Sequence, residues 1–477
     1  MKNMAESTSA GPSVPAWRGG FVDFLSKHFI GLAAILCLLI YVATYATNCF
    51  GPPIRADGVG YYSYLPAYVI YHDPSFERMA QEVFHGEIPT WTGIRIYPGT
   101  GRYMVKFNIG VALMMAPFFL AAHVMTHLFT FFSDALSLRL SCPADGFSFF
   151  YQHAAGLSGV FYMIAGLALL KRSLDQHFSP RISLVTCSSL LFGTNLLHYG
   201  SGESVLSHPY SFFLFAAIIV LLPGWFKKPD ELRRVILVGV VAGLIVLVRT
   251  INVMFLVFIA LYGVVRLRDV ALRSKWFLQH WRGTLMVAAV ALLVVLPQLI
   301  IWKYSSGRWI VDSYKTAYGE RMEYLLHPRV LKTLFSLKAG VLFWSPILVF
   351  GIVGFTWLKN RVPEMFWPTL IYSLLNLYLI ASWHDWAFGG GFHHRGFIES
   401  YTVMAFPMAS FFERVAAWRI RVLRVGVMLL CVLMIAHTLF FMTLYYTREI
   451  SYYGLDRQAL FDIFWWRIHI LKEWLLR

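Results

Sequence analysis

The sequence is short of charge. Asp, Glu, Lys and Arg make up 14% of its 477 residues, against about 25% in an ordinary soluble domain. With so few charges and so many apolar groups, neither a disordered chain nor a charge-flanked coiled coil fits. Acidic residues are the scarcer sign: 25 Asp and Glu stand against 41 Lys and Arg, a net +16. Cysteine is down to five residues, Cys37, Cys49, Cys142, Cys187 and Cys431, scattered without metal-ligand spacing. That excludes a secreted disulfide scaffold and a zinc module. Cys49 and Cys142 both fall on what reads as the oxidising side; two spare small apolar residues are the preferred reading over a bridge. No basic–aromatic module stands apart from the apolar runs, so nucleic acid is not an expected partner. The inverted internal repeat common in transporters is also missing.

What fills the chain instead is apolar. Hydrophobic residues account for 58% and aromatics for 17%, with a mean hydropathy of +0.59. The fold class is therefore an all-α polytopic membrane protein. Apolar runs occur at 30–47, 107–132, 149–170, 182–199, 209–225, 235–265, 284–302, 339–358, 365–382, 401–412 and 425–446. A crossing needs about 20 residues, so about 11–13 transmembrane helices are expected. The first run lacks a small-residue cleavage signature and reads as a retained span.

Basic residues sort the connections. Segments 171–181, 227–234, 266–282, 359–364 and 413–424 are short and basic, the pattern of cytoplasmic loops. Run 235–265, basic at both ends, must then be a hairpin of two short helices with its tip at Arg249–Thr250. Run 107–132 creates a parity conflict, which a short, broken or re-entrant segment kinked near Pro117 would resolve. The chain thus divides into a cytoplasmic tail, 1–29, a membrane domain, 30–446, and an interfacial amphipathic tail, 447–477. Outer loops 48–106, 303–338 and 383–400 carry most of the polar residues; the first is expected to hold juxtamembrane helices. Loop 303–338 has seven Lys and Arg against three acids, against the positive-inside bias, as a phosphate-bearing ligand would demand.

Chemistry-bearing residues cluster in these loops. Asp57, in IRADGVGYYSYLPAYVIYHD, is a carboxylate just beyond the first span, placed to act as a general base toward a hydroxyl; a helix N-cap is its plainer role. Arg102, Tyr103 and Lys106 precede run 107–132. Arg249 ends a purely apolar stretch, and an intramembrane arginine marks function by default. Lys315 sits in the basic loop, where a surface helix would look the same. Glu203 and His208 lie between two runs. The stretch WHDWAFGGGFHHRGFIES brings together His384, Asp385, His393, His394 and Arg395. Its spacing matches no zinc signature, which leaves use of a divalent cation open. An ion pair of Arg395 with Glu399, one helical turn on, is the bland alternative there.

Taken together, these motifs resemble the GT-C glycosyltransferase superfamily, closest to its lipid A aminoarabinose transferase and protein O-mannosyltransferase branches. The acid after the first span, Lys106 before a short second segment, the connector CPADGFSFFYQH, the turn LLKRSLDQHFSPR, Glu203 in HYGSGESVLSHPY and the Trp/Gly/Arg loop SWHDWAFGGGFHHRGFIES carry the similarity, over about residues 30–416. The resemblance implies inverting transfer of a sugar from a polyprenyl-phosphate donor to a lipid or cell-envelope glycan, at the outer face of a bacterial inner membrane. It implies Asp57 as base and Lys106 on the donor phosphate. Arg102, Tyr103, Glu203, His208, Arg249, Lys315, His384, Asp385, His394 and Arg395 are the further substrate-binding candidates. Other readings are a flippase or transporter of lipid-linked sugars, and a glycan polymerase or ligase using lipid-pyrophosphate donors.

Overall fold

The computed structural model describes residues 20–138 and 140–475. Among them the chain is helical almost throughout; one antiparallel pair, β1 (Ile94–Ile96) and β2 (Tyr103–Val105), matches Ile94 with Val105. The first helices are α1 (Gly20–Ala46), α2 (Asp57–Tyr62), α3 (Glu77–Phe84), α4 (Gly110–Ala135) and α5 (Phe149–Asp175). Next come α6 (Pro180–Gly193), α7 (Leu196–Tyr199), α8 (Ser207–Lys227), α9 (Leu232–Val248) and α10 (Phe255–Leu261). The second half holds α11 (Val270–Gln279), α12 (Trp281–Ser306), α13 (Ser313–Tyr318), α14 (Val330–Phe335) and α15 (Val341–Trp344). The last five are α16 (Leu348–Arg361), α17 (Pro363–Ser382), α18 (Tyr401–Ala416), α19 (Arg421–Tyr446) and α20 (Arg457–Leu475).

Seven of these, α1, α4, α5, α8, α12, α17 and α19, are long and apolar enough to cross a membrane, and the protein is a multi-pass, all-α membrane protein. The other four apolar runs stop short of a full span. Run 182–199 becomes α6, of 14 residues, and then α7. Run 235–265 is the expected hairpin, α9 ending at Val248 and α10 starting at Phe255. Runs 339–358 and 401–412 yield α16 and α18, of 14 and 16 residues. Backbone that leaves helix inside a membrane needs protein or water around it, so the short helices mark where the interior must be polar.

Two boundaries differ from expectation. Residues 1–19 of the proposed N-terminal tail lie outside the described residues, and 20–29 already belong to α1. Run 107–132 is neither short nor broken: α4 passes through Pro117 as one 26-residue helix. A proline costs one backbone bond, here to the carbonyl of Leu113, and the remaining turns carry the helix past it. α4 packs antiparallel on the first half of α5. The Tyr162 hydroxyl donates to the Met114 carbonyl at 3.1 Å, and the Phe129 and Phe150 rings lie 5.5 Å apart. It therefore starts level with the middle of α5. Tyr41 near the end of α1 meets His153 near the start of α5 at 3.0 Å, while Ser26 near the start of α1 donates to the carbonyl of Pro180, just beyond the end of α5 at the start of α6. Between α1 and α5 the chain thus returns to the same end of the bundle.

Of the seven spans α8 is the most buried, two thirds of its most apolar stretch being buried, whereas α12 has few fully buried residues along its own. All five cysteines are free. Cys49 and Cys142 hydrogen-bond instead to the Tyr446 carbonyl and the Ser148 hydroxyl.

Candidate functional site

The break between α9 and α10 opens on a cavity of about 900 Å³. α9 reaches it with its C-terminus and puts Arg249 there; α8 opens on it with Ser207 and His208. α4 starts beside the C-terminus of α9, so closely that a Cβ on Gly110 would strike the Leu247 backbone. The start of α8 brings partial positive charge to this wall, a setting that favours an anion.

Nine of the residues singled out from sequence line the cavity: Asp57, Lys106, Glu203, His208, Arg249, Lys315, His384, Asp385 and Arg395. Three do not. Arg102 is exposed, stacks over Tyr304 and donates to the Tyr304 carbonyl at 2.8 Å. Tyr103 lies in β2 opposite Ile96. His394 is fully buried, its ring between those of Phe388 and Phe397. Its neighbour His393 bonds the Ser345 hydroxyl at 2.7 Å.

Charges in the walls are paired across long stretches of sequence. Asp57 begins α2, but Ala56 is the cap and the Asp57 side chain makes no capping bond. Its Oδ2 accepts from Arg395 Nη2 at 3.0 Å. Lys106 Nζ sits 2.6 Å from Glu320 and 4.9 Å from the centre of the Tyr314 ring. Arg249 donates to Glu399 Oε1 at 2.6 Å, and His208 meets the same oxygen at 3.2 Å. The alternative pairing of Arg395 with Glu399 is therefore absent: Glu399 belongs to Arg249, and its Oε2 is buried without a partner. Glu203 takes Arg55 at 2.6 Å and His198 at 3.3 Å. Burial alone would raise the Glu203 carboxyl, but His198 and Arg55 hold it down, to about 2. For Arg395, burial lowers the pKa and the Asp57 carboxylate outweighs it, so the guanidinium is held above its ordinary value. Asp385 Oδ2 accepts the Gly389 N–H at 2.6 Å, and the His384 N–H goes to the Arg321 carbonyl. Lys315 stands on α13, capped by Asp312. Among the described residues, no three His, Cys, Asp or Glu side chains gather as metal ligands.

Sequence reading passed over Arg55, Glu320, Tyr314 and Tyr452, and gave Glu399 a different partner. Arg55, two positions before Asp57, was the one with a local signal. Aromatic rings finish the cavity: Phe107 stacks on Tyr61 at 4.1 Å, and Tyr314 stands edge-on to Trp383 at 5.8 Å. The result is a water-accessible chamber with carboxylates, cations and aromatic faces, set among apolar helices.

No family model matches the chain, and no curated protein does. Among solved structures it is similar to the archaeal oligosaccharyltransferase AglB from Archaeoglobus fulgidus, in complex with an inhibitory peptide and a dolichol-phosphate. Identity is 12%, the alignment covers 91% of this chain and 57% of that one, and the TM-score is 0.46. The chain thus spans little more than half the length of that protein.

Proposed function

We propose that the protein is a GT-C-type glycosyltransferase that moves a sugar from a polyprenyl-phosphate donor to a lipid or cell-envelope glycan, with inversion. It would act at the outer face of a bacterial inner membrane. The observation that carries this reading is the meeting of Asp57 and Arg395 at 3.0 Å, from loops 338 residues apart, in a cavity that Lys106 and Arg249 also line. A carboxylate for the acceptor proton and cations for the leaving group are what displacement at an anomeric carbon requires.

In this mechanism the acceptor oxygen forms a bond to the anomeric carbon as the carbon–oxygen bond to the lipid phosphate breaks. The bonding pair goes to the phosphate oxygen, and the hydroxyl proton goes to Asp57. Arg395 orients the carboxylate, and the phosphate lies toward Lys106 and Arg249, where it shares these cations with Glu320 and Glu399. Tyr314 and Trp383 offer rings to the apolar face of a sugar. Low-dielectric surroundings strengthen each of these contacts relative to water.

Asp57→Asn tests the reading, because it keeps size and removes the base. With purified protein and a polyprenyl-phosphate sugar, turnover is expected to fall about 10²–10⁴-fold, while binding of polyprenyl phosphate itself persists. Near-normal turnover would remove Asp57 from the base role. Movement of intact lipid-linked sugar across vesicles, unaffected by the substitution, would favour a flippase instead.

A further inference from the structure

The segment after α19 contributes Tyr452 to the cavity lining, and the proposed chemistry makes no use of it. After α19 the chain turns back through residues 447–456 before α20. That turn is tied at its start. Arg448 donates to the Cys49 carbonyl at 2.8 Å, and Glu449 holds Arg467 of α20 at 2.7 Å. Ser451 and Gly454 bridge antiparallel, and Gly454, at φ +97°, lies against the Lys338 carbonyl, where a side chain would not fit. At the tip, Tyr452 lines the cavity.

The loop that receives it is built around that contact. The Gly391 N–H donates to the Tyr452 carbonyl at 2.8 Å. Gly390 lies against the ring, and a Cβ there would collide with it. Within six residues, Phe388, Gly389, Gly391 and His393 all have positive φ, two of them non-glycine at 62° and 66°. Such a backbone persists only where its surroundings hold it, and here the Tyr452 carbonyl is one of the groups that does so. Four residues beyond Gly391 stands Arg395. Burial pushes the Tyr452 hydroxyl up to about 12, with Glu203, Arg395 and Asp57 as its charged neighbours, so it remains a neutral donor. On the far side of the turn, α20 exposes Phe461, Phe464, Trp465 and Trp466, an aromatic set suited to a lipid interface.

We infer that residues 447–456 form a lid on the cavity, that Tyr452 is the side chain that closes it over Asp57 and Arg395, and that α20 holds the lid at the lipid surface. The ring shields the Asp57–Arg395 pair from bulk water on that side, and its backbone holds the glycine loop in the form that presents Arg395. Lifting the turn opens the polar end of the chamber and draws Ile450 and Leu455 out of the apolar packing. Gly390 is the position that makes this approach sterically possible.

Thiol labelling tests the lid and needs no substrate, so its failure and the failure of the glycosyl-transfer reading are separate results. Val205 lines the cavity and is 2% exposed. Val205→Cys is placed in the full-length chain with Cys49→Ser, which leaves only buried native cysteines. The probe is a cationic, membrane-impermeant methanethiosulfonate. Tyr452→Ala and Gly390→Ala, which break the contact from opposite sides, are each expected to speed labelling of residue 205 about tenfold or more, as local opening governs access. Tyr452→Phe keeps the ring and is expected to label at the parent rate. Cys187, fully buried in α6, reports the fold and should stay unlabelled throughout. Should Tyr452→Ala expose Cys187, Gly390→Ala decides on the same criterion. Equal rates at residue 205 in the parent, Tyr452→Ala and Gly390→Ala, with Cys187 protected, would overturn the lid.

Discussion

The ion pairs at the cavity and those at the opposite end of the bundle use the same residue types in different media. At the cavity, Asp57–Arg395, Lys106–Glu320, Arg249–Glu399 and Arg55–Glu203 join residues 338, 214, 150 and 148 positions apart. Their side chains range from 3% to 32% exposed. At the far end, Arg234–Glu231 lies within one helical turn at 34% and 39% exposed, and Asp23–Arg181 is 61% and 39% exposed. The buried set sits around the cavity, where run 235–265 breaks at Arg249; the exposed set sits at helix starts. Charge removed from water costs several kcal/mol per ion unless its partner is present, whereas charge left in water gains little from a partner. The cavity pairs therefore fix which distant loops meet, and the far pairs leave topology to the apolar helices.

Breaking the most buried pair gives the largest expected effect. Glu399→Ala strands the Arg249 guanidinium among groups that are almost entirely buried, with His208 as its remaining polar contact. A loss of about 3–5 kcal/mol is the usual scale, visible as a large drop in thermal stability in detergent and poor yield. The double variant Glu399→Ala with Arg249→Met removes the stranded charge and should recover much of that loss. A single-variant cost under about 1 kcal/mol would place the pair with the exposed set.

The helix walls offer an intermediate effect. Gly159 of α5 lies against the Ser204 carbonyl, next to Glu203, and has no room for a Cβ, while Gly426 of α19 has nothing within 4 Å of one. Gly159→Ala should cost about 1–3 kcal/mol by overpacking the wall behind the cavity. Gly426→Ala should be neutral or stabilise by up to about 1 kcal/mol through helix propensity. Thermal unfolding of the two variants side by side checks this. Equal effects would mean that the cavity wall is no tighter than the lipid-facing surface.

The apolar runs and the hairpin at Arg249 were legible in the sequence because hydropathy and basic flanks act locally. The continuity of α4 was not, since Pro117 looks the same whether a helix breaks or absorbs it. Partners across the cavity were the least legible. Arg395 and Glu399 have the spacing of a helical ion pair, but Arg395–Phe397 is a 3₁₀ turn that precedes α18. The spacing rule therefore does not apply, and Glu399 turns to Arg249 instead. Nothing near Asp57 signals a partner 338 residues away. Glu320, a minority acid in a basic loop, gave no sign of meeting Lys106. Tyr452 sits in a tail whose composition spoke only of the lipid interface.

The smallest expected effect is at the other end of the molecule, and it isolates the cause of the difference. Asp23 of α1 and Arg181 of α6 meet at 3.2 Å across 158 positions, nearly the separation of Arg249 and Glu399. Loop-closure entropy is therefore matched between the two pairs, since it grows only slowly with separation. Solvent exposure is the main variable left. A double-mutant cycle of Asp23→Asn and Arg181→Gln should return a coupling of about 0.2–1 kcal/mol. At 1 M salt the Debye length shrinks to about 3 Å, and the coupling should shrink with it. The same cycle at Arg249 and Glu399 should be several times larger and little changed by salt. A salt-insensitive coupling above about 2 kcal/mol at Asp23–Arg181 would show that long-range pairing, rather than burial, sets the strength of these contacts.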